Sequence, residues 1–209
     1  MKRRHFFKTG IAGGAIAGAA AASAGELKQT PRQTEGPFYP AVAQKDKDFD
    51  LTQIEGRDGI AKGEIAYVSG VIRDTAGNPL EDATVDVWQA NAAGRYSHPH
   101  ESNTAPLDPN FQGWAIVPSG VKGEFKFKTI IPGAYPATKK WSRPPHIHFK
   151  VTKKGYRELT TQMYFPDQKL NETDRILKSH PVEEQEQLIA KTISKEPLTL
   201  QFNLVIEKA

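Results

Sequence analysis

The sequence predicts an all-β fold: an antiparallel β-sandwich with an irregular N-terminal arm and a short helical insert near the C-terminus. From residue 64 onward, short runs rich in β-branched and aromatic residues alternate with turn residues. The runs at 124–130 and 198–207 place apolar side chains at every second position, as a strand with one buried face does. Roughly seven such runs and one helical region favour two packed sheets.

The first 24 residues have the composition of a secretory signal. The pair Arg3-Arg4 precedes an apolar stretch of mostly Gly and Ala, which ends in a small-residue cleavage site at residues 22–24. We therefore expect a twin-arginine-type signal peptide at 1–24, export to the periplasm or beyond, and no stable membrane association after cleavage. The alternative is an uncleaved membrane anchor, although the apolar run is shorter than the ~20 residues of a spanning helix.

The charge of the chain limits the kinds of binding partner it can have, and the lack of cysteine limits the metal ligands. Four of the 28 Lys and Arg residues, but none of the 24 acidic residues, lie in the expected signal, so the remaining chain is balanced in charge. Such balance argues against nucleic acid as a partner. With no Cys in the chain, disulfides and thiolate ligands are excluded, and any metal must be bound by His, carboxylate or Tyr.

The elements follow in order after an extended arm, residues 25–60, which is polar and contains prolines. Residues 61–209 form the predicted β-sandwich domain. The predicted strands within it are 64–74, 83–90, 124–130, 146–152, 158–165 and 198–207. Helical periodicity is present at 171–177, with Asn171 as a suitable N-cap, and at 181–194, where Leu188, Ile189 and Ile193 fall on one apolar stripe.

Two histidines stand one residue apart at the start of a predicted strand. Because side chains alternate along a strand, His146 and His148 point to one face, while Ile147, Phe149 and Val151 point to the other and into the core. Two imidazoles on one face can bind a single metal ion. A pair of surface histidines would give the same pattern.

Two tyrosines accompany this pair. Tyr135 lies between Gly133 and Pro136 in a rigid turn, and Tyr96 lies just beyond the end of a strand. A phenol with a pKa of ~10 ionises near neutrality only when a strong positive charge holds the phenolate. Two phenols and two imidazoles without a thiol therefore suit a hard trivalent cation, and ferric iron fits best.

Five motifs carry a family resemblance. They are "TEGPFYP" (34–40), "VDVWQANAAGRYSH" (85–98), "IIPGAYP" (130–136), "RPPHIHF" (143–149) and "TTQMYFPDQ" (160–168). In order and spacing the chain resembles the intradiol ring-cleavage dioxygenases, and within them the iron-bearing β-type chain of protocatechuate 3,4-dioxygenase. The resemblance covers residues 30 to 200 and implies a β-sandwich with an irregular N-terminal arm.

The resemblance also implies the site. Four residues match the ligands of the family's non-haem Fe(III): Tyr96, Tyr135, His146 and His148. Arg143 matches the active-site arginine, which stabilises charge on the substrate ring, and Gln162 matches a glutamine near the bound substrate. The implied reaction cleaves a catechol between its two hydroxyl-bearing carbons with O2 and gives a cis,cis-muconate. Tyr135 would leave the metal and accept a proton. The other interpretation of Arg143 is an ion pair with a carboxylate such as Asp167.

The chain departs from the family pattern at two positions beside Tyr135. Ala134 replaces a proline, and Ala137 replaces the aromatic residue of the protocatechuate enzymes. We expect a wider or differently shaped pocket, which makes protocatechuate itself a doubtful substrate. Whether the chain forms a homo-oligomer or pairs with an α-type partner chain stays open.

Two other functions fit parts of the sequence. Residues 68–88 and 123–136 also resemble the prealbumin-like modules of exported proteins, in which no metal is involved; this would explain Tyr135 but not Arg143 or the two histidines. A periplasmic copper-binding protein would use His146 and His148 together with a second pair, His98 and His100. It would leave both tyrosines unexplained.

Overall fold

The computed structural model describes residues 26–42, 44 and 46–209, so the signal expected at 1–24 lies outside the described residues. In this part of the chain the strands are β1 (Ile65–Asp74), β2 (Thr84–Trp88), β3 (Trp114–Pro118), β4 (Glu124–Ile130), β5 (Tyr135–Thr138), β6 (Trp141–Arg143), β7 (His146–Thr152), β8 (Leu159–Tyr164), β9 (Lys191–Lys195), β10 (Leu198–Gln201) and β11 (Leu204–Ile206). One α-helix, α1 (Val182–Leu188), follows two 3-10 turns, Lys169–Glu172 and Leu177–Ser179.

A four-stranded antiparallel sheet in the order β3-β2-β7-β8 forms one layer. Its central strand β7 starts directly after Pro144-Pro145, because proline has no backbone N–H for the ladder. Residues 146–152 pair with β2 on one side and with β8 on the other.

The second layer is built on the long strand β1. Residues 65–71 pair antiparallel with β4, whereas β10 and then β11 pair parallel with successive stretches of β1. Strand β9 extends this sheet by antiparallel pairing with β10. Strands β5 and β6 form a separate two-stranded hairpin.

The core lies between the two layers, and Phe149 of β7 joins them. Its ring centroid lies 6.1 Å from that of Phe125, 6.0 Å from that of Phe127 and 5.1 Å from that of Phe202, all from the second layer. All four rings are buried. The neighbours Ile147 and Val151 on the same face of β7 are fully buried as well, as the period of two predicts.

The N-terminal arm covers the opposite face of the four-stranded sheet. At the edge strand β8 the backbone N–H of Gln33 donates to the Thr160 carbonyl, and on the outer face the Gln162 amide donates to the Thr34 carbonyl. The described residues between 26 and 60 contain no helix or strand beyond a bridge between Asp50 and Lys128. Strand β7 is therefore buried on both faces, with core on one side and arm on the other.

These observations confirm the predicted fold class, although the second sheet is mixed because β10 and β11 pair parallel with β1. Strands β3, β5, β6 and β9 were not predicted, and Tyr135 opens β5 instead of lying in a turn. The helix predicted at 181–194 ends at Leu188, and Ile193, expected on its apolar stripe, is 59% exposed on β9. The helical segment at 171–177 is reduced to 3-10 turns. In the described residues, no helix is long and apolar enough to cross a membrane.

We expect Phe149→Ala to lower the free energy of unfolding by about 3–5 kcal/mol, because it leaves a cavity between the sheets. Urea denaturation measures the change. Phe49→Ala is the matched control, since this phenylalanine is 64% exposed and its loss should cost less than about 0.5 kcal/mol. Equal losses in the two variants would contradict the assignment of Phe149 as the contact between the layers.

Candidate active site

Strand pairing places both histidines, Gln162 and two aromatic residues on the face of the four-stranded sheet that the arm covers. His148 lies opposite Trp88 on β2 and opposite Gln162 on β8, while His146 lies opposite Tyr164. Directly opposed residues share a face, so these five side chains project together. All five are buried.

Two loops bring the tyrosines to the same place through close contact of their backbones. The N–H of Gly133 donates to the Asn91 carbonyl at 2.9 Å. Gly94 has φ +77°, and a Cβ there would lie 2.5 Å from the carbonyl oxygen of Ala134. Each tyrosine follows its glycine by two residues, and the ring centroids of Tyr96 and Tyr135 are 5.7 Å apart and nearly perpendicular.

The two phenols and two imidazoles form one cluster. The hydroxyl of Tyr96 lies 3.4 Å from Nε2 of His146. The ring centroids are 5.0 Å apart for the two histidines, 5.7 Å for Tyr135 and His146, and 6.2 Å for Tyr96 and His148. The structure therefore brings together all four residues that the sequence predicts as metal ligands.

Hydrogen bonding determines which nitrogen of His146 is free to bind. Nδ1 lies 2.7 Å from the carbonyl oxygen of Pro144. A carbonyl only accepts, so Nδ1 carries the proton and Nε2 keeps its lone pair. Because Nε2 also faces the Tyr96 hydroxyl, its lone pair points into the cluster.

His148 is positioned by packing. Its ring stacks on Trp88 with centroids 4.8 Å apart and planes 11° from parallel. On the arm, Gly36 has φ +73°, and a Cβ at this position would lie 3.4 Å from Cε1 and 4.0 Å from Nε2 of His148. The glycine therefore leaves space beside Nε2 that a larger residue would occupy.

Burial fixes the protonation states of the four groups. It raises the pKa of Tyr96 well above the usual value, and it raises the pKa of Tyr135 as well. Burial and the nearby Arg143 charge lower the pKa of His148 to about 3 and hold the pKa of His146 well below its usual range. Without a metal, the site contains two neutral phenols and two neutral imidazoles.

This donor set can bind a metal of high charge. The imidazoles already present lone pairs, but the phenols lose their protons only to a cation that holds the phenolate strongly. Within the described residues, no three His, Asp or Glu side chains converge on a common point, so a metal here needs the tyrosines. Two anionic oxygens and two nitrogens favour Fe(III) over softer ions.

Arg143 lies at the edge of the cluster, 4% exposed. Its Nε donates to Oδ2 of Asp174 at 2.7 Å, and its Nη2 donates to Oε1 of Gln162 at 2.7 Å and to the Tyr164 hydroxyl at 3.0 Å. The sequence suggested Asp167 as an alternative ion-pair partner. The structure contains such an ion pair, but its partner is not the exposed Asp167: the carboxylate beside Arg143 belongs to Asp174.

The N-terminal arm completes the surroundings of Gln162. The Gln162 amide donates to the Thr34 carbonyl at 2.9 Å, and the Tyr164 hydroxyl donates to Oε1 of Gln33 at 3.1 Å. Gln162 is fully buried, with its oxygen on Arg143 and its nitrogen on the arm. Sequence reasoning missed Tyr164, although its spacing of two from Gln162 on a strand places it on the same face.

The second histidine pair is separate from the cluster. The rings of His98 and His100 are 5.4 Å apart in a loop, and His98 packs against Phe38. His100 is exposed. In the part of the chain described by the structure, these two histidines do not join His146 and His148 in one metal-binding group.

A cavity of about 920 Å³ adjoins the cluster. Phe38, Trp88 and Tyr96 line it, but Arg143, His146 and His148 do not. Tyr96 is thus the member of the four-residue cluster that lines this cavity, and Trp88, which also lines it, stacks on His148.

The chain is similar to known dioxygenases. A family model described as "Dioxygenase" matches residues 34–207. The protocatechuate 3,4-dioxygenase beta chain of Burkholderia cepacia is 38% identical over 189 residues, which are 86% of this chain and 80% of that one. Catechol 1,2-dioxygenase of Pseudomonas sp. (strain EST1001) is 32% identical over 158 residues, 69% of this chain and 50% of that one.

A solved structure has the same fold at higher coverage. The dioxygenase domain of a dioxygenase carbohydrate-binding protein fusion from Streptomyces sp. SirexAA-E superposes with a TM-score of 0.65 and 29% identity, over 87% of this chain and all of that one. Together with the family match over most of the chain, these similarities show that the chain belongs to the intradiol ring-cleavage dioxygenases.

Proposed function

We propose that this chain is a non-haem Fe(III)-dependent intradiol dioxygenase. It cleaves a catechol-type ring between the two hydroxyl-bearing carbons with O2 and yields a cis,cis-muconate-type product. The observation that carries the proposal is the buried cluster of two phenols and two imidazoles, with a guanidinium at its edge. A binding module without a metal would have no use for these buried polar groups, whose burial is costly without a function.

The proposed iron ligands are Tyr96, Tyr135, His146 and His148. Neutral imidazoles and phenols that ionise on binding provide two negative charges, which stabilise the ferric state. Bound there, Fe(III) would supply a Lewis acid that makes both hydroxyls of a chelated catechol acidic near neutral pH. The remaining chemistry of the site belongs to side chains of this chain.

Tyr135 is the proposed proton acceptor. Tyr96 is 3% exposed and faces His146, whereas Tyr135 is only partly buried at the start of a short hairpin strand. Tyr135 has more room than the closely packed Tyr96 to move away from a bound metal, and its Oη would then accept a catechol proton. We therefore assign Tyr96 as the permanent ligand and Tyr135 as the ligand that exchanges.

Arg143 is the proposed group that acts on the substrate ring, and Gln162 supports it. The buried guanidinium stays protonated: burial opposes its charge, but Tyr164 and Asp174 outweigh burial and raise the pKa of Arg143. A fixed positive charge in a buried site stabilises negative charge that develops on the ring. Gln162 orients this guanidinium through its Oε1.

The substrate is proposed as a catechol class. Ala137 is exposed on β5, two residues beyond Tyr135, where the protocatechuate enzymes have an aromatic side chain. The smaller residue supports a wider entrance, and with it catechols with larger ring substituents. Whether a second copy or an α-type chain narrows this entrance is a question of assembly, which sedimentation of the purified protein answers.

Oxygen uptake and product mass test the proposed reaction. The iron-loaded protein should consume one O2 per catechol and give a ring-opened dicarboxylate carrying both atoms of 18O2. A series of ring substituents from catechol to protocatechuate and larger analogues identifies the substrate class. A yellow extradiol aldehyde product, or no uptake with any catechol by a protein containing one iron per chain, would contradict the proposal.

Ligand substitutions test the iron site. We expect Tyr96→Phe and His148→Ala each to lower iron content and kcat by more than the ~10- to 100-fold that loss of an outer-shell partner costs. Tyr67→Phe is the matched control, since Tyr67 lies on β1 in the other sheet and should retain full iron and activity. A fully active, iron-loaded His148→Ala protein would refute the ligand assignment.

The contact between the two tyrosine loops yields a separate prediction. Gly94→Ala should reduce iron content, because its Cβ would displace Ala134 and with it Tyr135. Gly56→Ala is a matched control: Gly56 has almost the same φ, +78°, but no atom within 4 Å of the added Cβ. Both variants should lose about 1–2 kcal/mol of stability from the left-handed backbone. Only Gly94→Ala should lose iron, as metal analysis of the purified proteins would reveal; equal iron in both would contradict the role of the contact.

A further inference from the structure

Arg143 is held by a defined subset of its nitrogens. Nε is bound to Asp174, and Nη2 is bound to both Gln162 and Tyr164. Among the described residues, Nη1 forms no hydrogen bond with a protein group. One nitrogen of the guanidinium therefore stays available for a ligand, and the other two fix its plane.

Asp174 is itself rigid. It is fully buried between the two 3-10 turns. Its Oδ1 accepts from the backbone N–H groups of Ile176 at 3.1 Å and Leu177 at 2.8 Å, while Oδ2 accepts from Arg143 at 2.7 Å. Each carboxylate oxygen has its own partners, so the carboxylate cannot rotate without breaking one set.

The pair also balances the positive charge of Arg143 inside the site. Within the described residues, Asp174 is the carboxylate in ion-pair contact with Arg143, and both side chains are buried. A buried cation needs such a partner to stay charged.

We propose that Asp174 is the positioning residue for the reaction. By binding Nε, it fixes the guanidinium of Arg143 so that Nη1 is presented to the negatively charged substrate ring. Asp174 touches neither metal nor substrate. It contacts Arg143 directly, and its Oδ1 lies 3.4 Å from the Tyr164 hydroxyl, which itself binds Arg143. This inference rests on the proposed dioxygenase function, and it assigns to the segment between β8 and α1 a part in catalysis.

Asp174→Asn removes the charge with little change in shape. An amide has a single acceptor oxygen, so it can serve either the backbone N–H groups or Nε, and its NH2 group then faces the other donors. We expect kcat to fall roughly 10- to 100-fold, because a misplaced catalytic group can cost ~100-fold. KM, iron content and the visible spectrum should change little.

Asp167→Asn is the matched control. It is the same substitution seven positions away, on an exposed residue whose φ of +59° asparagine tolerates. This variant should have wild-type kcat. Unchanged kcat in Asp174→Asn, or equal losses in both variants, would overturn the inference.

A double-mutant cycle separates positioning from a general structural role. If Asp174 acts through Arg143, then Arg143→Ala combined with Asp174→Asn should be no slower than Arg143→Ala alone. If Asp174 only supports the fold, the two losses in kcat should multiply, and the inference fails.

Wild type, the two single variants and the double variant also allow a stability measurement that does not depend on turnover. The shifts in urea midpoint for Arg143→Ala and Asp174→Asn should be non-additive if the buried pair exists; additive shifts would overturn it. If wild type contains iron but cleaves no catechol, the proposed function fails. The stability cycle then still decides whether Asp174 holds Arg143.

Discussion

The site depends on the alternation of side chains along β7. Ile147, Phe149 and Val151 point between the two sheets, so His146 and His148 must point to the opposite face. A shift of one residue in the pairing of β7 would exchange the two sets and destroy both core and site. The same register places Gln162 and Tyr164 of β8 beside the histidines. Core packing between the sheets therefore fixes the geometry of the chemistry on the outer face.

Covering that outer face gives the site its electrostatic character. The arm, the β5–β6 hairpin and the segment after β8 exclude water from phenols, imidazoles and a guanidinium that would otherwise be solvated. Burial disfavours the charged forms of Tyr96 and His148, so neither group ionises without a partner. In the proposed function a highly charged metal would be that partner for the tyrosines, and Asp174 is the partner of Arg143. Each charge in the proposed active state is thus matched by a specific opposite charge.

The sequence predicted those features that follow from side-chain alternation along a strand and from the spacing of motifs. The period of two along 146–152 predicted which side chains of β7 reach the core, and the motif spacing predicted four residues that the fold gathers in one cluster. The predicted extent of the helix at 181–194 was wrong, because the apolar spacing of Leu188, Ile189 and Ile193 continues past the observed end of α1. From Lys191 the chain instead pairs with β10, and this tertiary pairing outweighs local propensity. Asp174 carried no sequence signal, since its role arises only when a loop 31 residues beyond Arg143 folds back on it.

The most direct test of the account is the visible absorption spectrum of the purified, iron-analysed protein, recorded before and after anaerobic addition of catechol. If Tyr96 and Tyr135 bind Fe(III), a tyrosinate-to-iron charge-transfer band should be present at the start. The band should shift to longer wavelength when a substrate catechol binds, and the shift should reverse when air is admitted. A protein that stays colourless after ferric loading would contradict the account, because the buried phenols would then not be metal ligands.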